Sequence, residues 1–258
     1  NTFMHYVLLK ISICRLRRIK TAALFFLLCI VCVEAAAERR LKLGIERLPQ
    51  YRKIFAGKRV GLITNQTGID AEGTPSAVLL SQIAQLTALF SPEHGIQGNE
   101  REGASIGHST DPRTGLPVYS LYGNTKRPTP EMLKDIDILC FDIQDVGARF
   151  YTYISTMAYA MEECARHKKQ FVVFDRPNPI GGAVEGNMLE LTYRSFTGYF
   201  PIVQRHGMTV GELALLFNAE YGIHCDLTVI TMEGWNRESY FDELPLIWAP
   251  PSPNIPSP

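Results

Sequence analysis

The chain has 258 residues, and its 26 lysines and arginines balance 26 aspartates and glutamates. That length allows one large domain or two small ones, and an apolar content of 46% is ordinary for a globular protein. Zero net charge, no basic block after residue 40 and no reader motif argue against a nucleic-acid partner; they fit a small substrate, or a polymer met one end at a time.

The first 40 residues differ from the rest. Lys10, Arg15, Arg17, Arg18 and Lys20 precede an apolar stretch from Thr21 to Val33, and Glu34-Ala35-Ala36-Ala37 then supplies small residues. This is the layout of a secretory signal peptide. The apolar stretch is shorter than the roughly 20 residues of a spanning helix. The expectation is a signal over residues 1–37, a mature chain from near Glu38, no stable membrane anchor after removal, and a periplasmic or extracellular address. Asn1 ahead of a start at Met4, and a last residue inside Pro250–Pro258, make both ends read as cuts. Cys140, Cys164 and Cys225 follow the signal at spacings that match no metal or disulfide framework, so buried free thiols are expected.

From there strand and helix patterns alternate. Arg59–Asn65 is a short apolar run ending in polar residues, as a buried parallel strand does. Thr74-Pro75 opens a helix to about Ala84. Leu86–Phe90 is the second strand, followed by a polar, glycine-rich loop to about Leu116. Pro117–Leu121 is a short strand, and Thr129-Pro130-Glu131 starts a short helix. Asp137–Ile143 is the clearest buried strand. Tyr151–Lys168 is a long helix by its apolar spacing, Phe171–Asp175 a strand, and Thr209-Val210-Gly211-Glu212 a capping box for a helix to about Tyr221. Asp226–Thr231 is the last strand. The predicted fold is α/β: a Rossmann-like parallel sheet with helices on both faces. Residues 38–245 form this subdomain. Residues 246–258 are a proline-rich connection to a second subdomain, missing or incomplete here.

Ligands in such folds bind outside the carboxyl ends of the strands. Those ends carry Asn65, Glu93-His94, Asp142 to Asp145, Asp175-Arg176 and Glu233. The first turn, Thr64-Asn65-Gln66-Thr67-Gly68, lacks the glycine spacing of a dinucleotide site. No serine elbow is present and no cysteine sits at a strand end. Asp142 and Asp145 together could hold a hard cation, although Asp145 also suits a turn. No metal and no cofactor is expected. A carboxylic acid remains as catalyst. Glu93 follows a buried strand in Phe90-Ser91-Pro92-Glu93-His94-Gly95, and desolvation favours the protonated form that a glycosidic general acid needs. Its structural reading is an acceptor of N–H bonds within its own loop. Arg149, Arg176 and Arg205 suit two-point contact with a carboxylate, or structural pairs with Asp142, Asp175 or Asp226. Tyr193, Phe196, Tyr199 and Phe200 are either a sugar platform or core.

Six segments together resemble one family. They are Ser91–Gly95, Thr114–Gly123, Phe141–Tyr153, Asp175–Gly182, Arg205–Ala214 and Pro250–Asn254. They are similar to the NamZ/YbbC-type exo-β-N-acetylmuramidases, bacterial peptidoglycan-recycling glycosidases, from about Gly44 onward. The resemblance implies a Rossmann-like subdomain packed on a second one, with the cleft between. It also implies hydrolysis of terminal non-reducing β-linked N-acetylmuramic acid in peptidoglycan fragments, with Glu93 as catalytic acid. The lactyl carboxylate of that sugar calls for a cation, with Arg149, Arg176 and Arg205 as candidates. A second catalytic group is either the sugar's 2-acetamido group or a carboxylate, Asp145 or Glu185. The expected catalytic residues are Glu93, His94 and Asp145. The expected substrate contacts are Asn65, Gln97, Arg149, Tyr151, Arg176, Asn178, His206 and Asn254. The alternatives are a non-catalytic binder of cell-wall sugars and a metal-dependent hydrolase using Asp142 and Asp145.

Overall fold

The structure, a computed structural model, describes residues 40–98 and 109–258. The expected signal peptide, residues 1–37, lies outside those residues. Seven strands form one sheet: β1 (Arg59–Thr64), β2 (Gln85–Ser91), β3 (Ser109–Thr110), β4 (Pro117–Ser120), β5 (Ile138–Asp142), β6 (Gln170–Phe174) and β7 (Asp226–Ile230). Their order is β3-β4-β2-β1-β5-β6-β7. Every pairing is parallel except that of the two-residue edge strand β3 with β4. The chain starts in the middle at β1, moves outward through β2 to β4, then crosses to β5 on the other side of β1. The switch point therefore lies between β1 and β5, where an α/β sheet opens a crevice.

Alternation along the strands divides the core in two. Ile63, Leu139, Phe141, Phe171 and Val173 face one side, against α4 (Tyr153–Arg166) and α5 (Val210–Glu220). Val60, Leu62, Ile138, Cys140, Val172 and Phe174 face the other, with residues of α1 (Leu48–Phe55) and α2 (Ser76–Ser81). A central strand buried on both faces must be apolar throughout. That is why these strands read as unbroken apolar runs. The short α3 (Pro130–Leu133) packs with the first cluster, through Met132 and Leu133.

The helix starts follow local chemistry. Thr209 Oγ1 accepts from the Glu212 N–H at 3.2 Å, and the Glu212 carboxylate accepts from the Thr209 N–H at 2.9 Å, closing the expected capping box. Thr129 caps α3 through the Met132 N–H at 3.3 Å. Helix α2 runs shorter than expected, from Ser76 to Ser81, and α1 carries a helix that the sequence reading passed over. The three cysteines are buried and free, and burial pushes the Cys225 thiol up to about 12.

Asp175 ends β6 and ties α5 to the sheet. Its Oδ1 accepts from the Gly211 N–H at 2.8 Å and the Arg176 N–H at 3.0 Å. Burial nevertheless outweighs these bonds and pushes its carboxyl up to about 6 from the usual 3.8. A raised folded value means that stability is full below about pH 4 and falls as pH rises toward 6, by about 3 kcal/mol for a shift of this size. Asp175→Asn keeps an acceptor and loses the charge. It is expected to raise the denaturation midpoint at pH 7.5 while changing it little at pH 4. An equal effect at both values would contradict this.

The proline-rich end does not simply lead away from the sheet. Leu246 packs on the second core cluster, and Ser252 is buried. The Gln66 amide donates to the Pro250 carbonyl at 2.7 Å, and the Tyr153 hydroxyl donates to the Pro251 carbonyl. Residues 250–254 thus form a strap across the carboxyl edge of the sheet.

Candidate active site

Glu93 follows β2 and is 9% exposed. The Thr152 hydroxyl donates to its Oε2 at 2.7 Å. Thr152 stands at the N-terminus of α4 yet makes no side-chain cap there; its hydroxyl serves the carboxyl of a distant strand end instead. No cation pairs with Glu93 among the described residues. The turn that presents it is strained: His94 has φ 70°, followed by Gly95 at φ 76°, and the Gly95 N–H returns to the Pro92 carbonyl at 3.2 Å. A histidine held in the left-handed region costs on the order of 1 kcal/mol. Such strain is tolerated where position matters.

Glu93 and His94 open into a cleft of about 500 Å³. Tyr122 and Lys126 from the segment after β4 line it, as do Phe150, Tyr151 and Thr152 before α4. Ser195, Phe196 and Thr197 come from the loop between β6 and α5, and Ser252 and Asn254 from the strap. The cleft is built from five separate segments, those that follow β2, β4, β5 and β6 and the strap. Aromatic rings form one wall: Phe196 lies 6.2 Å from Tyr122 and 5.5 Å from Tyr159, centroid to centroid. Of the four aromatics read as platform or core, Phe196 faces the cleft, Phe200 is in the core, Tyr199 packs half-buried against the core, and Tyr193 is exposed.

The switch point itself holds an ion pair. Arg176 Nε donates to Asp142 Oδ1 at 2.5 Å and its Nη2 to Oδ2 at 2.8 Å, with a further bond from Nη2 to the Ile69 carbonyl. The Ser76 hydroxyl also donates to Asp142. Arg176 is 3% exposed and Asp142 fully buried. The expectation of Arg176 as a substrate contact is therefore corrected: its donors are engaged by a buried carboxylate and a carbonyl. The same geometry weakens the metal reading, since both Asp142 oxygens already accept charged hydrogen bonds. Gly68 lies so close to this network that a Cβ there would stand 2.0 Å from Thr64 Oγ1.

Other expected residues sort by position. Tyr151 and Asn254 line the Glu93 cleft, and Tyr151 stacks edge-on against Tyr153 at 5.2 Å. Asn65 and Gln97 line a neighbouring hollow of about 390 Å³ with Asp111 and Arg113. Arg149 is corrected: its Nη1 donates to the Asn187 and Ile202 carbonyls at 2.5 and 2.6 Å, which latches the 187–202 segment and places it outside the Glu93 cleft. Asn178 is likewise a turn residue, with Oδ1 accepting from the Ile180 N–H and Nδ2 donating to the Met208 carbonyl. Arg205 pairs with Glu185 at 3.2 Å.

Asp145 and His206 form a buried pair, with Nε2 3.5 Å from Oδ2. Asp145 Oδ2 also accepts from the Gly147 N–H at 2.8 Å, and His206 Nδ1 from the Met208 N–H at 3.2 Å. Asp145 Oδ1 and His206 Nε2 have no hydrogen-bond partner among the described residues. Neither residue lines the Glu93 cleft. Three that do, Thr152, Lys126 and Tyr122, escaped the sequence reading. Only the aromatic-cationic run Tyr122–Lys126 beside the fourth strand carried a signal for them.

Comparison with known proteins agrees with this architecture. Residues 60–258 match the family model described as exo-β-N-acetylmuramidase NamZ, N-terminal. The peptidoglycan β-N-acetylmuramidase NamZ of Bacillus subtilis (strain 168) is 52% identical over 228 residues, covering 87% of this chain and 55% of the relative. Two crystal structures of DUF1343 family proteins from Bacteroides fragilis NCTC 9343 superpose with TM-scores of 0.78 and 0.71, at 49% and 37% identity. Each alignment covers 84% of this chain and 56% or 57% of the other. The chain thus spans about half the length of the relatives it matches. With a family match over most of its length and a doubly wound sheet shared with these structures, this chain belongs to the NamZ exo-β-N-acetylmuramidase family and corresponds to its N-terminal part.

Proposed function

We propose that this chain supplies the acid catalyst and one wall of the cleft of a glycosidase. It removes terminal β-linked N-acetylmuramic acid from the non-reducing end of peptidoglycan fragments. The observation that supports this best is Glu93: a carboxyl buried at a strand end, oriented by a neutral hydroxyl, paired with no cation among the described residues, and open to a cleft with an aromatic wall. Glycoside cleavage needs a proton delivered to the departing oxygen as the C1–O bond breaks. Glu93 is placed to deliver it.

Glu93 is the one carboxylate lining the cleft among the described residues. Asp145 is tied to Gly147 and His206, and Glu185 to Arg205. The group that attacks C1 is then either the substrate's own 2-acetamido oxygen, with water opening the resulting ring, or a carboxylate from outside this wall of the cleft. Strained His94 keeps the Glu93 turn in register, and Tyr151 and Asn254 border the sugar. The Bacillus subtilis relative, a peptidoglycan β-N-acetylmuramidase, supports the substrate class. The basic, apolar and small-residue layout of residues 1–37 supports a periplasmic or extracellular address beside the cell wall.

The test is product identification with the intact protein. Peptidoglycan fragments with a non-reducing N-acetylmuramic acid end are expected to release the free monosaccharide, read by mass spectrometry, and the activity is expected in the periplasmic or culture fraction of producing cells. Fragments bound but never shortened would instead favour a non-catalytic sugar-binding protein. Activity confined to the cytoplasmic fraction would remove the address.

A further inference from the structure

One cation in the Glu93 cleft has no carboxylate to answer it among the described residues. The arginines around the cleft are engaged. Arg127 pairs with Glu162 at 2.6 Å and lies over Tyr159 at 3.8 Å. Arg194 lies over Tyr199 at 3.8 Å and reaches Glu162 at 3.9 Å. Arg149 and Arg176 are held as described above. Lys126 differs. Its ammonium stands 4.7 Å from the centroid of the Phe196 ring, and its charge meets that ring face rather than a carboxylate. Both side chains line the cleft.

The surroundings make this placement consequential. Among the described residues lining the cleft, Lys126 is the one lysine or arginine and Glu93 the one acid. A ligand carboxylate entering there shares the cleft with the Glu93 carboxyl, and Lys126 is the cation placed to receive it. A lysine offers three donors around a compact charge. A ring face attracts the ammonium without neutralising it, so Phe196 positions the charge and leaves N–H groups for a ligand. The ring is itself fixed by Tyr122 and Tyr159.

We propose that Lys126, seated on Phe196, reads an anionic side arm of the sugar bound beside Glu93, and so selects a carboxylate-bearing amino sugar over its neutral counterpart. This rests on the glycosidase reading given above. It transfers to Lys126 the part for which Arg149, Arg176 and Arg205 were candidates.

The experiment compares β-N-acetylmuraminide and β-N-acetylglucosaminide chromogenic substrates, which differ by the lactyl carboxylate. The intact wild-type protein, Lys126→Met and Lys126→Arg are assayed, with folding checked by thermal melting and Lys126→Gln used if the methionine variant does not fold. The ratio of kcat/KM for the two substrates is expected to fall about 10- to 100-fold in Lys126→Met, the range of a hydrogen-bonded charge pair, and to recover in large part in Lys126→Arg. Calorimetric binding of free N-acetylmuramic acid against N-acetylglucosamine is expected to lose the same preference. An unchanged ratio, or an equal loss on both substrates, would overturn the assignment. Wild-type protein that prefers N-acetylmuramic acid in binding but turns over neither substrate would sink the glycosidase reading alone. A preference lost in Lys126→Met would still support the assignment in that case.

Discussion

Replacing Glu93 by glutamine in the intact protein is expected to lower kcat on an unactivated muramic acid glycoside by about 10²- to 10⁴-fold, the usual contribution of a positioned proton donor. The amide fits the same space and can still accept from Thr152, which donates at 2.7 Å in the wild type. It cannot pass a proton to the departing oxygen. Binding of the product sugar is therefore expected to stay within a few-fold. The loss has a second signature. A leaving group that departs readily without a proton needs the acid less, so aryl glycosides with acidic phenols are expected to suffer a much smaller reduction than disaccharides. Full turnover of a disaccharide by Glu93→Gln would remove Glu93 from the chemistry and return it to the role of a loop acceptor.

The largest effect on stability is expected at Arg176→Met. Asp142 is fully buried and accepts two hydrogen bonds from Arg176. Removing the guanidinium leaves a carboxylate stranded in the core, with the Ser76 hydroxyl as its one remaining side-chain donor among the described residues. Breaking one side of a buried pair costs about 3–5 kcal/mol, a large part of the 5–15 kcal/mol that holds a typical domain together. The denaturant midpoint is expected to fall accordingly. Adding Asp142→Leu is expected to restore part of the loss, since an apolar pair avoids the stranded charge. A variant that kept its stability and lost substrate affinity would restore Arg176 to the substrate-binding group.

The contrast between Glu93 and Arg176 shows how far a sequence can be read. Strand ends are legible: a strand buried on both faces must be apolar, and it stops where polar residues begin, as Phe141-Asp142 and Phe174-Asp175 show. The capping box at Thr209 is legible because both of its partners lie within one helical turn. Which strand-end charge faces solvent and which faces its neighbour is not local information. Arg176 and Asp142 are 34 residues apart, and Thr152 and Glu93 are 59 apart. Their pairing depends on which strands lie side by side. The order β2-β1-β5-β6 is set by packing, not by any one segment. Lys126 was missed for the same reason: its meaning comes from Phe196, a residue on a different loop. The edge strand β3 is too short, at two residues, to leave a pattern.

The strap at residues 250–254 bears on the order of assembly. Its anchor to Gln66 joins residues 184 positions apart, and its anchor to Tyr153 joins residues 98 apart. Contacts of such separation are formed only after the entropy of closing a long loop has been overcome. The strand pairings of the sheet join nearer neighbours, the most distant being β1 with β5, and can form without them. The cleft gains Ser252 and Asn254 only when the strap docks. A nascent or refolding chain is thus expected to pair its strands before the strap residues join this wall of the cleft, so that competence to hold a sugar comes late in folding.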